Sequence, residues 1–138
     1  MSTGQVFLTL ASLVLLGYIS LNIQRMYVSS VETTVDMQMT NDAVNFGRDL
    51  SEEVQSYAYK YGQLDAQLGG LDDVTNSSSR RSDTSQVGEV FHATIELSSE
   101  TSLDHGQTGR WATIKVYEEL EDSLEFKAEF VTAVANLN

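Results

Sequence analysis

The chain of 138 residues has no cysteine and no proline. Without cysteine there is no disulfide framework and no thiolate zinc site. Without proline, no residue forces a helix to kink or is barred from a central strand. Basic residues are few, eight Lys and Arg against twenty Asp and Glu, for a formal charge of −12. That balance argues against nucleic acid, which requires a basic footprint, and against electrostatic docking to anionic lipid. Histidine occurs twice, and no Ser-His-Asp pattern surrounds either residue. His92 falls on the polar side of a strand pattern and His105 in a loop beside Asp104, so both are expected to be exposed. The acidic runs Asp72-Asp73 and Glu118, Glu119, Glu121, Asp122 lack the alternating spacing of a calcium loop and read as solvated turns. Catalytic residues, metal ligands, cofactors and a small-molecule substrate are therefore not expected.

One long uncharged run stands near the amino end, VFLTLASLVLLGYISLNI from Val6 to Ile23. Its apolar members are Val6, Phe7, Leu8, Leu10, Leu13, Val14, Leu15, Leu16, Ile19, Leu21 and Ile23. As a helix it would be about 27 Å long, close to the ~30 Å hydrocarbon core of a bilayer. Met1-Ser2-Thr3-Gly4 lacks Lys and Arg, and Leu21 to Arg25 is a poor small-x-small site, so a removed secretory signal is not expected. The small residues Thr9, Ser12, Gly17 and Ser20 suit close helix–helix approach, and Thr9 and Ser20 can bond back to their own helix carbonyls.

After Arg25 the pattern becomes amphipathic. Val28, Val31, Val35, Met39, Ala43, Phe46, Leu50, Val54, Tyr57, Tyr61 and Leu64 follow one another at steps of three or four, the period of one continuous helix. The expectation is a single helix from about Gln5 to Leu64, ended by Gly69-Gly70. It divides into an apolar half, residues 1–25, and an amphipathic half, 26–64, that belongs to a head spanning 26–138. Residues 65–88 are polar and read as a surface loop. Within it, Asn76-Ser77-Ser78 matches a glycosylation acceptor pattern.

From residue 89 the period becomes two. Phe91, Ala93, Ile95 and Leu97 alternate with polar residues; Ala112, Ile114 and Val116 do the same, then Leu124, Phe126, Ala128 and Phe130. Short links between them give an antiparallel meander of at least three strands. Lys115 then falls opposite Glu129, and the second half of the long helix covers the apolar face. The fold class read from the chain is α+β. Trp111 falls on the outward side, where one exposed aromatic marks a surface contact.

This order of parts, with Gly4-Gln5 opening the apolar run, resembles the type IV pilin family and its pseudopilin relatives. Gly4 and Gln5 look like the cleavage site of a class III signal. In the family the apolar half-helix anchors the subunit in the membrane before assembly and then forms the filament core. Two family features are absent. The fifth position after Gly4 is Thr9 where the common pattern has glutamate, and no proline stands near the end of the run, where this chain has Asn22. The resemblance implies a structural subunit that polymerises with copies of itself into an extracellular, adhesive filament at the cell surface, after insertion in the membrane. Two other expectations remain open: a single-pass anchored protein with a small acidic binding domain, or a minor pseudopilin of a secretion system.

Overall fold

A computed structural model of the chain describes residues 2–137. It comprises two compact units, Met1–Gln38 and Met39–Asn138. Helix α1, Thr3–Ser56, contributes to both. The first unit is helix from Thr3 onward, and its side chains are almost all exposed. Thr9 Oγ1 donates to Gln5 O and Ser12 Oγ to Leu8 O, each at 2.8 Å, so these hydroxyls are satisfied within the helix.

The second unit is α+β. It holds the end of α1, a 3-10 segment Tyr57–Gln63, helix α2 at Leu64–Leu68, and five strands in one antiparallel sheet. The strands are β1 Arg81–Thr84, β2 Val90–Leu97, β3 Thr101–Ser102, β4 Thr108–Glu119 and β5 Leu124–Ala135. Ala43, Phe46, Leu50 and Val54 pack from α1 against Phe91, Ala93 and Ile95 of β2, Ala112, Ile114 and Val116 of β4 and Val134 of β5. Spacings of three and four on the helix and two on the strands place these residues on facing surfaces.

The expected unbroken helix to Leu64 is corrected. The α-helix stops at Ser56, and Lys60 leaves helical geometry at φ −129°, ψ 40°. The break changes the chain's direction so that Ala58, Leu64 and Leu68 are all buried, with Tyr57 and Tyr61 partly so. It also frees the Ala58 carbonyl to accept from Leu137 N–H at 3.1 Å, which ties the turn to the end of β5. Gly69-Gly70 ends α2 as expected. Gly69 N–H donates to Asp65 O, and a Cβ at Gly69 would collide with that carbonyl. Gly70 has φ +83°, where only glycine is unstrained.

The sheet extends beyond the expected meander. β1 lies inside the segment read as a polar loop and pairs with β2. Its sequence, RSDT, has no apolar residue, so no hydrophobic alternation reveals it. Gly109 pairs with Thr101 on one side and Ala135 on the other, so β3 continues the row of β2 and β5 flanks β4 alone. The Lys115–Glu129 pairing is as expected, but by a different route. The hairpin closes with Glu119 opposite Leu124, a register that by itself sets Lys115 against Ala128, and a bulge at Lys127 restores the opposition to Glu129. The bulge also reverses the first part of β5. Phe126 turns to the outer face, where its ring meets Tyr117 edge to face at 5.8 Å, and Lys127 turns to the side of Glu118. The expected single inward row of Leu124, Phe126, Ala128 and Phe130 is therefore corrected to Ala128 and Phe130.

Candidate functional site

All eleven apolar residues from Val6 to Ile23 named above are exposed on α1, and the segment is long and apolar enough to cross a membrane. The exposed apolar stripe does not stop where a bilayer would. Val28, Val31 and Val35 remain 54%, 45% and 41% exposed, whereas Ala43 is completely buried. Residues 26–42 of α1 are also rich in Val, Ser and Thr, which support an isolated helix poorly. Thr33 and Thr34 donate to Ser29 O and Ser30 O at 2.9 Å, so their hydroxyls, too, are absorbed by the helix. This stretch offers a partner a mostly apolar face with few unsatisfied polar groups. Gly4 and Gln5 lie in the first turn of α1, with Gln5 N–H donating to Ser2 O at 3.1 Å.

In the second unit, Trp111 lies on the outer face of β4, as expected. Asn76 is exposed in a turn, and its Oδ1 accepts from Ser78 N–H at 3.1 Å and Ser78 Oγ at 2.8 Å. His105 is exposed in the turn before β4, with φ +65°.

His92 is corrected. It lies on the outer face but is only 3% exposed, with both ring nitrogens engaged. Ser82 Oγ is 2.7 Å from Nδ1 and Glu119 Oε2 is 2.6 Å from Nε2. Ser82 and His92 are register partners across β1 and β2, and Glu119 ends β4. The order hydroxyl, imidazole, carboxylate is that of a nucleophilic relay, but here it clips a strand without apolar side chains into the sheet. The Arg81–Glu53 ion pair at 3.0 Å holds the same strand to α1. Neither partner was legible in the chain, because Ser82 and Glu119 reach His92 only through strand pairing.

The acidic run at 118–122 is also corrected, because Glu118 is buried rather than solvated. Lys127 Nζ stands 3.0 Å from its Oε2 and 3.3 Å from Glu125. A hydrogen bond from Glu89 is the largest effect holding the Glu118 pKa below the usual carboxylate range; Lys127 adds to it and burial opposes it. The same bond, with burial and the Glu118 charge, raises the pKa of Glu89. Glu89 is thus the member of the pair with the greater affinity for a proton, which its carboxyl donates to the Glu118 carboxylate when it holds one. The contribution of Glu89 to stability is full below its unfolded pKa and is lost as pH rises through its raised folded value. That of Glu118 is present above its unfolded pKa and is lost as pH falls through its lowered folded value. Glu89→Gln keeps an N–H donor and acquires no charge. The variant is expected to be more stable than the parent near pH ~7, with the difference closing toward pH ~4. Urea unfolding at both pH values checks this; a pH-independent difference would mean that Glu89 does not titrate against Glu118.

Compared with known proteins, the chain matches no family model, no curated protein and no solved structure.

Proposed function

We propose that this chain is a structural subunit that polymerises through its apolar amino-terminal helix into a filament at the cell surface, and is held in the membrane before assembly. The observation that carries the reading is the exposed stripe at Val28, Val31 and Val35. Val6 to Ile23 already matches the bilayer thickness, so lipid does not cover the next three turns. A plain anchor has no use for an apolar stripe there. Helices of other copies, packed side by side, would cover both stretches with one continuous surface. In lipid the association is driven by packing rather than by the hydrophobic effect, for which Gly17 and the self-satisfied Thr9 and Ser12 are suited. The acidic balance of the chain would limit lateral association of filaments at low salt.

The test is to shear the producing cells, image the released material by electron microscopy and identify its protein by mass spectrometry. Thin filaments composed mainly of this chain are expected, and the amino-terminal peptide shows whether cleavage follows Gly4. Retention of the whole chain in the membrane fraction, with no filament containing it, would overturn the reading in favour of an anchored binding domain.

A further inference from the structure

The clip that joins β1 to β2 also carries the three groups of an activated nucleophile, and the strand ladder explains how they meet. Ser85 N–H donates to Glu89 O, so 85 and 89 form a hydrogen-bonded pair. Alternation then makes 83 with 91 and 81 with 93 hydrogen-bonded pairs, and 82 with 92 a non-hydrogen-bonded one. The bond from Ser98 N–H to Trp111 O gives the same phase, because it turns the backbone of His92 toward β4 and away from β1. In a non-hydrogen-bonded pair the Cα atoms are about 4.5 Å apart and the side chains are at their closest. Ser82 Oγ therefore reaches His92 Nδ1 at 2.7 Å.

The carboxylate fixes the tautomer. It can only accept, so His92 Nε2, 2.6 Å from Glu119 Oε2, is the donor. In the neutral ring Nδ1 is then the acceptor, and the Ser82 hydroxyl donates to it. The base already points at the proton it would remove. His92 is buried, but Ser82 is exposed on an edge strand of the sheet. Because 82 and 92 are a non-hydrogen-bonded pair, Ser82 N–H points off that edge, and it has no partner among the described residues. It stands next to Oγ, where the N–H of a nucleophilic serine meets the oxyanion of acyl transfer.

We propose that Ser82 is an acyl acceptor, which takes the acyl group of an accessible carboxylic ester with His92 as its base. Oγ attacks the ester carbonyl carbon, the carbonyl pair moves onto oxygen, and the Oγ proton passes to Nδ1. The pair then returns, the bond to the alkoxy oxygen breaks, and the leaving alkoxide takes the proton from Nδ1 as an alcohol. Ser82 is left as an ester, and the ring regains its resting tautomer. Glu119 is a positioning residue that keeps the proton on Nε2. One backbone donor serves the oxyanion, so the acyl group accumulates rather than turning over quickly. The reaction does not depend on the filament reading.

The full-length chain in detergent is treated with a fluorophosphonate, which forms an Oγ–P bond with loss of fluoride, and the labelled peptide is located by mass spectrometry. Label on Ser82, in preference to the exposed Ser77 and Ser99, is expected. With p-nitrophenyl acetate, a burst of nitrophenolate and an acetyl group on Ser82 are expected, followed by slow release. His92→Gln keeps a carbonyl for the Ser82 hydroxyl but supplies no base, and is expected to cut the labelling rate about 10²–10⁴-fold. Glu119→Gln is expected to slow labelling, and Glu119→Asp, which retains the carboxylate, to recover part of the rate; equal loss in both would remove Glu119 from the relay. The parent chain unfolded in urea is expected to show no preference for Ser82, which tests the dependence on the fold without a variant. Absence of label on Ser82, or label spread evenly over Ser77, Ser82 and Ser99, would overturn the proposal. So would labelling of Ser82 at an unchanged rate in His92→Gln.

Discussion

Leu16→Asp is expected to abolish the proposed filaments. Leu16 is exposed in the single chain, so the substitution leaves no cavity and strains nothing in the head. The cost arises only where the helix is covered. A carboxylate at the centre of a membrane helix costs roughly 2.5–3.5 kcal/mol for insertion. In a packed helical core, every subunit would bring the same buried charge without a partner, and the penalty would recur at each addition. Val31→Asp separates the two environments. Val31 lies beyond the stretch long and apolar enough to cross a bilayer, so this variant is expected to reach the membrane fraction normally and still to form no filaments. Cell fractionation and electron microscopy of the two variants read both steps. Normal filaments from Val31→Asp would remove the stripe from the assembly surface; normal filaments from Leu16→Asp would remove the apolar run.

Phe91→Ala is expected to cost about 3–5 kcal/mol of head stability, while Phe126→Ala costs under about 1 kcal/mol. Phe91 is 2% exposed and lies in the core between the sheet and α1; Phe126 is 51% exposed and lies on the outer face. Small domains hold roughly 5–15 kcal/mol in total, so the first loss removes from about a fifth of the head's stability to nearly all of it. Each kcal/mol corresponds to a shift of about 4–8 °C in melting temperature for a domain of this size, and thermal unfolding resolves the two variants easily. The comparison tests the bulge at Lys127 as well as the core. Both phenylalanines sit at alternate, apolar positions in the sequence, and only the bulge turns one of them outward. If Phe126→Ala proved the more damaging, the placement of that bulge would be wrong.

The features legible in the chain are those set by period and length. The helix through Ala43, Phe46, Leu50 and Val54 and the inward rows of β2 and β4 follow from steps of 3.6 and 2, whereas the opposition of Lys115 to Glu129 also needs the bulge at Lys127. What escaped that reading has no periodic sign. β1 is a strand because β2 offers it hydrogen bonds and His92 and Glu53 hold its side chains, not because RSDT favours extension. The helix tightens to 3-10 at Tyr57 and kinks at Lys60 although the apolar spacing continues through Tyr61 to Leu64. A straight helix would satisfy that spacing equally well; the contacts of Ala58 and Leu68 with the sheet decide against it.

By itself, then, the sequence determined a membrane-length apolar helix, a head of helix on antiparallel sheet, and the absence of thiol chemistry and of a basic footprint. These depend on local composition and on repeats between near neighbours, which each segment carries with it. The tertiary structure alone decided which polar groups are buried. Glu118 and His92 are buried, and their partners Glu89, Lys127 and Ser82 come from other parts of the chain, at distances that exist only once the strands are in register. It also decided that β5 pairs with β4 alone and is tied at its end to the 3-10 segment, because a strand's neighbours are a property of the whole sheet and no segment encodes them.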